Sequence, residues 1–139
     1  MPSNLDLLTK NIMQYIDYLK SQDIVTSDPK LNEMLVTFRA QYQVLVNTHP
    51  KMVLEYFTQY LYPHKEMILG DNEDYFLSLE YGKDEGGNEA SIMGALHIKE
   101  MWKAKFTADH KKTTFTYFKV FIKLVERCLV EHLSKQPSR

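Results

Sequence analysis

Cys128 and His132 stand four residues apart, a spacing that puts both on one side of a helix. They could supply two zinc ligands. A structural zinc site takes four ligands and a catalytic one three plus water. His97 and His110 are available, but no second short-spaced pair exists. A lone cysteine in an apolar stretch reads as a small core residue, so no metal and no cofactor is expected. The histidines at 49, 64, 97, 110 and 132 can each act as a general base. None stands in a triad pattern, and no Gly-x-Ser-x-Gly elbow, Walker loop or Gly-x-Gly-x-x-Gly occurs. Gly86-Gly87 is followed by Asn88 and Glu89, not by a lysine and a hydroxyl residue. The residues spell no enzyme, and a cryptic one would use His97 or His110 beside a carboxylate.

Charge carries more information. Residues 71–90 hold seven acidic side chains against Lys83, and residues 99–139 hold ten basic against four acidic. The chain as a whole is nearly neutral at −1, which excludes a globally basic nucleic-acid binder. Lys112, Lys119, Lys123 and Arg127 fall within about 80° on a helical wheel and form one stripe, with Glu126 beside it. Lys103, Lys105 and Lys111 precede it. Such a stripe suits phosphates or an acidic protein, and equally the solvated edge of a buried helix. Asp71-Asn72-Glu73-Asp74 crowds oxygens as calcium requires but lacks EF-hand spacing, and it suits a helix N-terminus. Asp84, Glu85 and Glu89 can dock a basic partner. The opposed patches can also pair between copies, giving a homo-oligomer weakened by salt. Tyr56, Phe57, Tyr60, Tyr62, Tyr75, Phe76 and Tyr81 form core or a docking patch.

The elements that place these residues are helices. A length of 139 residues, 44% hydrophobic, predicts one domain with a real core. A helix is expected over Asn4–Lys20 with Asn4 as N-cap and Leu8, Ile12, Tyr15, Ile16 and Leu19 inward. A break over 21–28 leads to a helix from Pro29 to Asn47, and another from Lys51 to Leu61. A short turn from Pro63 ends at Gly70, the residue best suited to a left-handed C-terminus. Residues 75–81 read as helix or extended chain, and 82–89 as an exposed loop. Helices follow over Ser91–Lys105 and, capped by Thr107, over Ala108–Leu133. The last is apolar over more than half its circumference, which makes it central. The reading is all-α: a single compact domain of five to six helices over 1–133, with a frayed polar tail at 134–139.

No apolar run approaches the ~18 residues of a membrane span, so no membrane partner is expected. Met1–Lys10 lacks the charged and apolar regions of a secretory signal, and Pro2 excludes N-myristoylation. One cysteine precludes an internal disulfide and fits a reducing, intracellular compartment.

Leu96-His97-Ile98-Lys99-Glu100-Met101-Trp102, followed by Lys112-Thr113-Thr114-Phe115-Thr116-Tyr117-Phe118, resembles a Leu-x-Ile-x-x-Ile/Leu-Trp, then Lys-x-x-Trp/Phe-x-Tyr-Leu pattern. The pattern is that of small helical proteins of nucleocytoplasmic large DNA viruses. Phe57, Pro63, Ile68 and Asp74-Tyr75-Phe76 are similar to an upstream stretch of such proteins. Phe115 stands where a second tryptophan is expected, and Met101 where isoleucine or leucine is preferred. The resemblance implies an all-α fold and a viral, cytoplasmic or virion-associated setting, and it implies no catalytic residue. The expected function is a non-enzymatic protein–protein interaction module using Asp84, Glu85 and Glu89 and the basic face of the last helix. The alternative is nucleic-acid binding through Lys112, Lys119, Lys123 and Arg127.

Overall fold

A computed structural model describes residues 3–77 and 98–135, and of residues 98–100 and 132–135 the backbone alone. The described residues form α-helices and no strand. The elements are α1 (Asn4–Ser21), α2 (Asp23–Thr26), α3 (Pro29–Thr48), α4 (Pro50–Tyr60), a 3-10 turn (Tyr62–His64), α5 (Lys65–Leu69), α6 (Asp74–Leu77), α7 (Ile98–Ala104) and α8 (Ala108–Lys135). The all-α expectation holds. The single turn α2 occupies the stretch that reads as a break, and the short helical turn expected from Pro63 is the 3-10 turn continued by α5. The expected loop at 82–89 and the start of the helix expected from Ser91 lie outside the described residues.

Local chemistry sets the helix ends. Ser3, rather than Asn4, caps α1: its hydroxyl accepts from the Asp6 N–H at 3.0 Å while Asp6 accepts from the Ser3 N–H at 3.2 Å. This reciprocal box satisfies two donors at once, which Asn4 could not do from its position. Asn4 instead lies in the first turn, and its amide donates to Glu131 on α8 at 3.3 Å. Asp28 caps α3 by accepting from the Leu31 N–H at 3.1 Å, with Pro29 at the first helical position. Thr107 caps α8. Its hydroxyl accepts from the His110 N–H at 3.3 Å, and His110 Nδ1 accepts from the Thr107 N–H at 3.0 Å.

The end of α5 departs from expectation. Gly70 has φ −90°, and the left-handed conformation falls one residue later, on Asp71 with φ 56°. The Asn72 N–H reaches Met67 O at 2.8 Å and the Asp71 N–H reaches Ile68 O at 3.2 Å, which is the Schellman pattern with Asp71 in the left-handed position. Glycine at position 70 avoids a tight contact, because a Cβ there would sit 3.1 Å from Glu66 O.

α8 is the element the others surround. It runs beside α1 along much of its length and touches α4 and α5, while α3 packs on α1 and α4. Leu8, Ile12, Tyr15, Ile16 and Leu19 are all buried, as their periodicity predicts. The core is aromatic at its centre. Phe76 stacks on Trp102 at 4.3 Å between ring centroids and meets the edges of Phe115 and Phe118 at 5.3 and 5.0 Å. Phe57 meets Phe121 at 5.7 Å, tying α4 to α8. Phe57, Tyr75 and Phe76 are therefore core, while Tyr56, Tyr60 and Tyr62 are half-buried. Tyr81 lies outside the described residues. Among the described residues no helix is long and apolar enough to cross a membrane.

Candidate functional site

α8 presents the basic stripe as the wheel predicts, but its members differ. Lys112, Lys123 and Arg127 are exposed. Lys119 is half-buried and its ammonium lies 2.8 Å from Asp71 Oδ1. Of the cations ahead of the stripe, Lys103 is exposed, while Lys105 and Lys111 are also engaged. Lys105 meets Asp28 at 3.2 Å, and Lys111 lies 3.8 Å from Glu73 and 5.6 Å from the centre of the Trp102 ring. Glu126 is drawn the other way, accepting from the Tyr62 hydroxyl at 3.0 Å with Lys65 at 3.6 Å. Among the described residues Lys112, Lys123 and Arg127 carry no ion pair. The candidate surface is thus three cations on one helical face, not a continuous run of four to seven.

The same pairs account for two of the three acidic side chains in the described part of the acidic segment. Asp71 and Glu73 are held by lysines of α8, and Trp102 Nε1 donates to Glu73 at 3.3 Å. Asn72 accepts from the Asp74 N–H at 3.0 Å at the start of α6, the capping role its position suits. The opposed charges therefore neutralise each other partly within one chain. Asp84, Glu85 and Glu89 lie outside the described residues.

Two electrostatic environments stand out. Asp28 is held below the ordinary carboxylate range, first by the Leu31 N–H and then by Lys105. Lys65 is pushed up by the hydrogen bond to Tyr62 and then by Glu126. Burial raises the Cys128 thiol, with Glu131 adding to it, so the thiolate needed for nucleophilic attack or metal ligation is disfavoured. The His132 side chain lies outside the described residues, and among those described no three His, Cys, Asp or Glu converge on one point. His110 is engaged in the α8 cap, with Thr107 rather than a carboxylate at its Nδ1. His49 and His64 are exposed, and His64 lies against the Tyr75 ring at 5.4 Å. His97 lies outside the described residues.

Two depressions flank the C-terminal half of α8. One, about 490 Å³, lies beside Lys123 and Arg127 and includes Asn4 and the exposed Val130. The other, about 670 Å³, runs between α4 and α8, with Leu54, Cys128 and Leu129 in its wall. Thr58 also lines it, its hydroxyl buried and unpartnered among the described residues. Sequence reading missed this second cleft. Leu54 and Leu129 share an apolar type with core residues, and only the spacing between α4 and α8 shows that they line a gap. Compared with known proteins, the chain matches no family model, no curated protein and no solved structure.

Proposed function

We propose that this protein is a non-enzymatic interaction module that grips an acidic protein surface through Lys112, Lys123 and Arg127. The observation that carries this reading is the contrast along one side of the fold. Lys105, Lys111 and Lys119 each have an acidic neighbour, while these three cations stand exposed without one among the described residues. A cation already paired has little to offer a partner, whereas an exposed one steers and orients an acidic surface. Asp84, Glu85 and Glu89 supply a second contact of opposite sign, read from their charge alone. The module works inside the cell, in the cytoplasm or in a virion, as the resemblance to viral helical proteins implies.

Nucleic-acid binding is the second reading. Three cations spread over sixteen residues of helix, about 22 Å, neutralise few phosphates. The expected dependence on salt is correspondingly shallow, with a logarithmic slope near −3. Glu126 beside the row and the apolar Val130 suit a protein surface better than a uniform polyanion.

The test is fluorescence anisotropy with a labelled poly-glutamate peptide and, separately, a labelled oligonucleotide of equal charge, each with wild type and a Lys112→Glu, Lys123→Glu, Arg127→Glu triple variant. The proposal expects the peptide to bind more tightly than the oligonucleotide and the triple variant to lose that binding. Preferential oligonucleotide binding with a logarithmic salt slope near −3 would move the function to the second reading. Peptide binding that survives the triple reversal would end the first reading, and oligonucleotide binding that survives it would end the second. Affinity capture from the source cells, with and without nuclease, then identifies the partner.

A further inference from the structure

α3 has an outer face unlike the rest of the surface. All eight exposed residues between 36 and 48 are uncharged, in a chain of which 25% is Asp, Glu, Lys or Arg. Val36, Ala40 and Val44 follow one another at intervals of four along this face. The two valines are 46% and 61% exposed, although valine is a residue that proteins ordinarily bury. The one ionic side chain in the stretch is Arg39, and it is turned aside. Its guanidinium makes a two-point contact with Asp17 of α1, at 2.6 and 3.3 Å.

This face carries compatible residues at matching distances on either side of Ala40. Val36 and Val44 lie four residues to either side, Thr37 and Gln43 three, and Glu33 and Asn47 seven. All of these fall within about 60° of Ala40 on an ideal helix, so they share one face. A two-fold axis through Ala40, perpendicular to the helix, would bring each residue against its counterpart on a second copy. Valine then meets valine, threonine meets glutamine, and Glu33 meets Asn47. No like charges oppose one another, and the small Ala40 sits on the axis where two helices come closest. Self-complementarity of this kind is what an isologous interface requires.

We propose that α3 is a homodimer contact, two copies packing their α3 helices antiparallel about Ala40. The strip from Glu33 to Asn47 is about 21 Å long and roughly 250 Å² in area, against ~800 Å² per partner in a standard stable interface. The dimer is therefore reversible, and it forms at high micromolar concentration. Because the face carries almost no charge, its association is insensitive to salt. This separates it from any contact made by the basic row of α8, and the two surfaces stand or fall independently.

Sedimentation velocity of the whole protein from about 10 μM to about 1 mM tests it. Wild type is expected to shift toward dimer over this range at both low and high salt. Ala40→Glu places two carboxylates face to face on the axis and is expected to weaken the dimer at least tenfold. The site is exposed, so its thermal unfolding should match wild type. Orientation is read by cross-linking: Val36→Cys mixed with Val44→Cys should form an intermolecular disulfide much faster than either variant alone. Wild type, whose Cys128 is buried, is the background. A protein that stays monomeric to 1 mM overturns the proposal, as does a dimer unchanged in Ala40→Glu. Self-linking of Val36→Cys as fast as the mixed pair also overturns it.

Discussion

The hydroxyls of Tyr15 and Thr114 meet at 2.9 Å inside the core, joining α1 to α8 across 99 positions of chain. Both residues are buried, and Tyr117, Phe118 and Phe121 close the rings around Tyr15. The bond orients the longest helix against the first. Thr114→Val leaves the tyrosine hydroxyl buried without a partner and is expected to cost about 1–3 kcal/mol. Tyr15→Phe should cost less, since the threonine can turn to a carbonyl of the preceding helical turn. The double variant should be less destabilised than the sum, as urea denaturation of the four proteins will show. Strict additivity would mean that the pair does not interact.

Alkali provides an independent check. Burial raises the pKa values of Tyr15, Tyr42 and Tyr75 well above the ordinary tyrosine value. Their neutral forms are the ones the fold accommodates. The stability this contributes is complete below the unfolded value, near 10, and is lost as pH rises above it. Stability is therefore expected to fall steeply above about pH 10, and Tyr15→Phe should lower that slope by about 1.4 kcal/mol per pH unit. Denaturation curves at a series of pH values measure it, and an unchanged slope would contradict the assignment.

Trp102 is the one tryptophan in the chain, so its fluorescence reports on a single corner of the core. Its ring is buried and stacked on Phe76, with interplanar angle 16°. Phe76→Ala is expected to cost about 3–5 kcal/mol and to shift the emission to the red as water reaches the indole. Val130→Ala, at a site that is 65% exposed, should leave both the emission and the stability near wild type.

Asp71 combines a left-handed backbone with an ion pair to Lys119, and substitutions separate the two. Asp71→Gly keeps the backbone and loses a partly exposed pair worth at most about 1 kcal/mol, with glycine's ease at positive φ offsetting part of it. Asp71→Val loses the pair and adds a branched side chain where φ is positive. It should be less stable than Asp71→Gly by about 1–2 kcal/mol. Equal stabilities of the two in thermal unfolding would show that the turn relaxes to another conformation.

The helices were legible because burial along each is periodic. Leu8, Ile12 and Leu19, or Phe118, Ile122 and Val125, repeat on the period that a helix converts into one face. The helix ends were less so. Ser3 and Asn4 are equally good caps by type, and the reciprocal bond from Asp6 chooses between them. Gly70 and Asp71 both tolerate a turn. The choice follows from where α5 stops, which the bonds from Asp71 and Asn72 back to Ile68 and Met67 fix. The stripe of Lys112, Lys119, Lys123 and Arg127 was legible as a face, but which of its charges remain available was not.

By itself the sequence determined an all-α protein with a long central helix. Periodicity, caps and composition act over a few residues, and a helix needs no more than that. Only the tertiary structure decided that Lys119 meets Asp71, that Lys111 meets Glu73, and that the uncharged face of α3 points outward. Those outcomes depend on which helices lie side by side. That arrangement is set by the joint packing of rings such as Phe57 on Phe121 and Phe76 on Trp102, whose partners lie far apart in the chain.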